Sequence, residues 1–121
     1  MSAGVRVDAG RAEDVTAGSA RVVALPPDRQ GLRREAIVLR DEQGTLRAYL
    51  NRCQHLPITL DAGSRAFFDR DGRELLCRTH GASYRLHDGL CTAGPCIGRS
   101  LVALPLEQDG ERVWIVLDAS A

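Results

Sequence analysis

A chain of 121 residues fits one domain, 1–121, with little room for a second. Its hydrophobic fraction of 44% is ordinary for a globular core, and aromatics make up only 4%, so Val, Ile, Leu and Ala must supply most of the interior. The 16 basic residues, all arginine, balance 16 acidic ones, which leaves no basic field to gather nucleic acid or anionic lipid.

In chain order, residues 1–16 carry charges every few positions and no apolar h-region, so no signal peptide is expected there. Glu13-Asp14-Val15 has the composition of a short helical turn, confined between Gly10 and Gly18. Residues 20–25 read as a strand that stops at Pro26-Pro27, because proline cannot donate to a ladder. Residues 36–40 and 45–50 read as a hairpin across Asp41-Glu42-Gln43-Gly44. Further strands are expected at 74–77, 83–86, 101–106 and 112–117, with Asp71-Gly72, Asp88-Gly89 and Asp109-Gly110 as turns. Short strands at this spacing, without long helical periodicity, predict an all-β fold, an antiparallel β-sandwich or partial barrel. No run approaches eighteen apolar residues, so no membrane span is expected and the expected compartment is the cytoplasm.

Residues 51–98 differ from their flanks. They hold all four cysteines, all three histidines and several glycines, as a metal-binding lobe inserted into a β scaffold would. Cysteines used this way point to metal ligation or redox chemistry before a disulfide framework. Two pairs stand out, Cys53-Gln54-His55 and Cys77-Arg78-Thr79-His80. A cysteine and a histidine two or three apart on a loop tip present a thiolate and an imidazole to one centre, and two facing loops supply two of each. A dinuclear iron–sulfur core can use that set with both thiolates on one iron and both imidazoles on the other. Structural zinc also accepts these donors, although zinc fingers commonly group cysteines with cysteines and histidines with histidines.

The pattern C-x-H … C-x-x-H resembles the Rieske signature. His80 is followed by Gly81-Ala82-Ser83-Tyr84, similar to that family's stretch after the second ligand pair, and Gly94-Pro95 is similar to the loop that shields its cluster. Gly89 sits where the family turns out of the following strand, and Leu101 and Leu104-Pro105-Leu106 match its return strand, so the resemblance runs from about Asn51 to Trp114. It implies one 2Fe–2S cluster bound by Cys53, His55, Cys77 and His80. The interval between the ligand pairs is longer than usual in the family and carries Phe67-Phe68-Asp69-Arg70-Asp71-Gly72, which a longer hairpin before the second ligand loop would absorb.

Departures from the family's high-potential members are informative. Those proteins resemble one another in a second cysteine on each ligand loop, forming a disulfide. Here no cysteine follows His55 in its loop, and Arg78-Thr79 fills the other, so that bridge cannot form. They also carry a serine and a tyrosine two and four residues after the second histidine, whose hydroxyls raise the potential. Here the two positions are Ala82 and Tyr84, which implies a potential in the lower half of a Rieske span of roughly −150 to +300 mV. Cys91 and Cys96 remain as buried thiols or a disulfide, and His87 is expected to be an exposed turn residue. Arg52, Arg78 and Arg85 flank the ligand loops, either as a docking rim or simply solvated.

The set leaves no open coordination position, so the resemblance implies an electron carrier, not an enzyme. Its partners would be a flavin reductase and an oxygenase or similar acceptor. The alternatives are a small non-shuttling subunit like that of nitrite reductases, and a structural zinc-binding domain. A complete Rieske oxygenase needs a second iron domain, for which about forty residues and one spare histidine after His80 are too few.

Overall fold

The computed structural model describes residues 5–54 and 58–117. Among the described residues nine strands follow one another: β1 Val5–Arg11, β2 Ala20–Leu25, β3 Arg34–Arg40, β4 Leu46–Leu50, β5 Glu74–Leu76, β6 Ser83–Arg85, β7 Cys91–Ala93, β8 Leu106–Asp109 and β9 Arg112–Leu117. A single 3₁₀ turn, Ala12–Asp14, sits one residue earlier than the helical turn expected from Glu13-Asp14-Val15. All strand pairs are antiparallel and fall into three small sheets, β1-β9-β8, β2-β3-β4 and β5-β6-β7, which do not close into a barrel. Among the described residues no helix is long and apolar enough to cross a membrane.

Strand β3 organises the molecule. Ala36, Ile37, Val38 and Leu39 are all fully buried, and the pleat sends them alternately to opposite sides. Ala36 and Val38 join Val23, Ala48, Val113, Ile115 and Leu117 in the core shared with the β1-β9-β8 sheet. Ile37 and Leu39 join Tyr49, Leu60, Phe67, Leu75 and Tyr84 in a second core under the lobe. A strand covered on both faces reads as an unbroken apolar run, which is how 36–39 reads. The β2-β3-β4 sheet is therefore the platform from which the lobe is held.

The β3–β4 turn is built by Asp41. Its Oδ1 accepts the N–H groups of Gln43 at 2.9 Å and Thr45 at 3.0 Å, and Arg47 Nε donates to Oδ2 at 3.0 Å. The long hairpin expected before the second ligand loop is present. Phe68 bridges Leu75, Asp69 N donates to Glu74 O at 2.9 Å, and Leu76 N donates to Phe67 O at 2.8 Å.

Three strand expectations need correction. β1 was not anticipated, because its alternation of Val5, Val7 and Ala9 with Arg6 and Asp8 is short and heavily charged; β9 completes it, pairing Val7 with Ile115. β7 is too short to leave a pattern. The run 101–106 is not one strand, since β8 begins only at Leu106. Pro105 has no N–H to give a ladder. The preceding residues instead stitch the lobe to the platform: Leu101 N donates to Gly89 O, Leu50 N to Val102 O and Leu104 N to Ala48 O, each at 2.9 Å.

Candidate metal centre

The second ligand loop grows from the end of β5. Cys77 lies just beyond the strand, where its N–H still reaches Ala82 O at 2.7 Å while Gly81 N returns to Cys77 O at 2.9 Å. This tight turn leaves the Cys77 side chain buried and lifts His80 to the exposed tip. Burial pushes the Cys77 thiol up, while the backbone N–H groups of His80 and Thr79, donating to its sulfur, pull the other way. Those two donors favour negative charge on that sulfur.

The first loop is braced from inside. Asn51 Oδ1 accepts Leu60 N at 2.9 Å, and its Nδ2 donates to Asp61 Oδ1 at 3.3 Å and Glu35 Oε1 at 3.2 Å. Asp61, only 1% exposed, also accepts Arg65 N at 3.0 Å. Burial would raise the Asp61 carboxyl, but the Asn51 amide and the Arg65 N–H hold it below its ordinary value. Cys53 N donates to Ile58 O at 2.8 Å, closing the loop's neck, and Arg78 N donates to Leu60 O at 2.8 Å, joining the two loops.

These braces bring Cys53 and Cys77 together: both are buried, and the neighbouring Cys53 side chain adds to the upward push on the Cys77 thiol. Two thiols from distant parts of the chain thus meet beneath a tip that carries His80. His55, the remaining residue of the expected set, lies outside the described residues. Among the described residues no three His, Cys, Asp or Glu side chains close on a single ion position.

A family model described as Rieske [2Fe-2S] domain matches residues 6–108. The chain belongs to the Rieske [2Fe-2S] domain family. The ferredoxin of carbazole 1,9a-dioxygenase from Nocardioides aromaticivorans IC177 is similar across nearly the whole length of both proteins. It is 27% identical, covers 94% of this chain and 97% of its own, and superposes with a TM-score of 0.63. A chain from the reduced complex between oxygenase and ferredoxin in carbazole 1,9a-dioxygenase gives a TM-score of 0.71 at 20% identity, over 93% of this Rieske chain and 28% of that one. Oxidoreductase NdmD of Pseudomonas putida is 36% identical over 64 residues, which are 53% of this chain and 10% of NdmD.

The Rieske family's cluster suits this donor set: paired buried sulfurs, peptide N–H groups aimed at one of them, and an exposed imidazole. The shielding loop is equally specific. A Cβ on Gly94, whose φ is +98°, would stand 2.7 Å from Ala82 Cα, so the loop lies directly on the backbone that follows His80-Gly81. Ala82 is fully buried beneath it and offers no hydroxyl. Tyr84 does. Its hydroxyl lies 3.4 Å from Cys53 Sγ and 3.0 Å from Cys96 Sγ, and it accepts Gln54 N at 3.0 Å. Burial holds its phenol far above the ordinary value, so it stays protonated and able to donate.

Several neighbours have structural duties. Arg78 donates to Ala66 O at 3.0 Å and Phe68 O at 2.5 Å, pinning the long hairpin, and Arg85 pairs with Asp88. Neither is a freely solvated rim charge. His87 is exposed, as expected, with Nδ1 2.6 Å from Glu42 Oε1. Cys91 and Cys96 are buried thiols with sulfurs 3.2 Å apart. The sequence reading missed the Asn51–Asp61 brace and the Gln54 donor. Asn51 two residues before Cys53 was a visible signal for the first, whereas a backbone N–H leaves none.

Proposed function

We propose that Cys53 and Cys77 bind one iron, and His55 and His80 the other, of a single 2Fe–2S cluster, and that the chain carries electrons singly from a flavin reductase to an oxygenase or similar acceptor. The observation that carries this reading is the meeting of buried Cys53 and Cys77 beneath the exposed His80. The whole chain, 1–121, acts as one domain with residues 51–98 as its cluster lobe, and works in the cytoplasm. Its relative from carbazole 1,9a-dioxygenase is described as a ferredoxin, and another similar chain comes from an oxygenase–ferredoxin complex, which supports an oxygenase as acceptor.

When bound, such a cluster takes up and releases one electron at a time. The chain's residues set the terms of that exchange. Burial of the two cysteines keeps water from the sulfurs, and the N–H groups of Thr79 and His80 favour added negative charge on Cys77. The exposed His80 ring offers the short route to a partner. The Asn51–Asp61 brace and the Gly94-Pro95 loop keep both ligand loops from rearranging as charge changes.

Electron paramagnetic resonance of the dithionite-reduced protein tests the ligand set. A rhombic signal with a low average g, lost together with visible absorption in Cys77→Ala, is the expected result. A colourless, iron-free protein after anaerobic reconstitution refutes it, and stoichiometric zinc in its place establishes the structural alternative. Stable co-purification with a large catalytic subunit, instead of reduction as a free carrier by a flavin reductase, refutes the shuttle.

A further inference from the structure

The four buried cysteines form two pairs, Cys53/Cys77 and Cys91/Cys96, joined through the Tyr84 hydroxyl, and the proposed cluster uses only the first. Cys91 Sγ and Cys96 Sγ are 3.2 Å apart, so closing a bond of about 2.05 Å needs an approach of about 1.1 Å. The backbone already holds the two ends of the connecting loop together. Cys91 N donates to Arg99 O at 2.7 Å, Gly98 N to Cys91 O at 3.3 Å and Arg99 N to Cys96 O at 3.0 Å. Cys96 lies between exposed Pro95 and Ile97, the latter 68% exposed, so a small movement of this loop opens it to solvent.

We propose that Cys91 and Cys96 are a redox modification site, a dithiol that a hydroperoxide converts to a disulfide, and that the Tyr84 hydroxyl transmits this change to the cluster through Cys53. The Cys96 sulfur attacks a peroxide oxygen; the O–O bond breaks, a sulfenic acid forms on Cys96, and the departing alkoxide or hydroxide leaves with the thiol proton. The Cys91 sulfur then attacks the Cys96 sulfur; the S–O bond breaks, and hydroxide leaves with the Cys91 proton as water. Two thiols lose two electrons and two protons, and one hydroperoxide becomes an alcohol or water plus a second water. Burial pushes the Cys91 thiol up to about 11, which suits it to resolve the sulfenic acid instead of initiating attack.

The transmission follows from counting protons at one oxygen. A tyrosine hydroxyl has one hydrogen to donate and two lone pairs. Gln54 N–H occupies one lone pair. A metal-bound Cys53 sulfur only accepts, so the Tyr84 proton turns to it; the one Cys96 S–H, which donates to Cys91 Sγ at 3.2 Å here, then turns from that sulfur to the second lone pair, each donation strengthening the next. A disulfide has no S–H. Oxidation removes the donor behind Tyr84 and leaves a competing acceptor in its place, so donation to Cys53 weakens and the potential falls.

This coupling rests on Cys53 as a ligand, whereas formation of the disulfide does not. The holoprotein is treated with stoichiometric hydrogen peroxide, then alkylated, mapped by mass spectrometry and examined by voltammetry, with Cys91→Ser in parallel. The expected outcome is loss of both alkylatable thiols, a Cys91–Cys96 disulfide with the visible spectrum retained, and a lowered potential restored by a dithiol reductant. Cys91→Ser should show no disulfide and no reductant-reversible shift. Thiols that remain alkylatable, or bleaching before the bond forms, overturn the modification site. A disulfide that leaves the potential unchanged overturns the coupling. Absence of a cluster before treatment instead indicts the ligand assignment, and the mass map still decides the disulfide.

Discussion

Replacing Tyr84 by phenylalanine removes one oxygen from a fully buried position and leaves the ring in place. The hydroxyl is 3.4 Å from Cys53 Sγ and is shared with Cys96 at 3.0 Å, so its bond to the Cys53 sulfur is a long one. Hydrogen bonds to charged acceptors contribute about 1.5–3 kcal/mol, and only the difference between the reduced and oxidised cluster moves a potential, here about 1 kcal/mol. A tenfold shift of a one-electron equilibrium corresponds to about 59 mV, so Tyr84→Phe should lower the potential by about 40 mV. The same change strips Gln54 N–H of its acceptor, which adds a loss of about 1–3 kcal/mol in folding stability. Voltammetry of both proteins measures the first effect and urea unfolding the second. An unchanged potential with the cluster intact would remove Tyr84 from the electronic account and leave it a core aromatic.

Gly94→Ala should destabilise the lobe by about 1–3 kcal/mol and speed cluster loss, because the new Cβ meets backbone atoms of Ala82 that cannot rotate away, at a φ of +98°. Equal unfolding midpoints and equal cluster retention for variant and wild type would contradict that packing. Acid should weaken the fold through Asp41 and Asp61. In both, burial is outweighed by hydrogen bonds, from Arg47, Gln43 N and Thr45 N in the first and from Asn51 and Arg65 N in the second, so both carboxyls sit below their ordinary value. Their contribution is present above the unfolded value of about 3.9 and disappears as pH falls through the lower folded values. The urea midpoint should therefore drop below about pH 4, less steeply in Asp41→Asn, and an identical acid limb in that variant would exclude Asp41.

The hairpin turn at Asp41-Glu42-Gln43-Gly44 and the apolar run of β3 were legible from residue order, because turn chemistry and strand period act over a few residues, and short spacing likewise picked out Cys53, Cys77 and His80 as candidate ligands. So was the longer hairpin before the second ligand loop, since Asp71-Gly72 carries its own turn. β1 was not, and the reason is physical: its neighbour is β9, at the far end of the chain, and a short charged strand acquires its place only from that partner. The extended run before Pro105 failed for a related reason, since its hydrogen bonds are divided between β4 and the turn that joins β6 to β7.

Local sequence determined which side chains could bind metal and what kind of scaffold would hold them. Tertiary structure alone decided that Cys53 lies near Cys77, that Asn51 and Asp61 lock the first loop, and that one tyrosine oxygen joins Cys53 to Cys96. Those contacts join residues separated by many positions, and their distances depend on how three sheets pack, which no local pattern encodes.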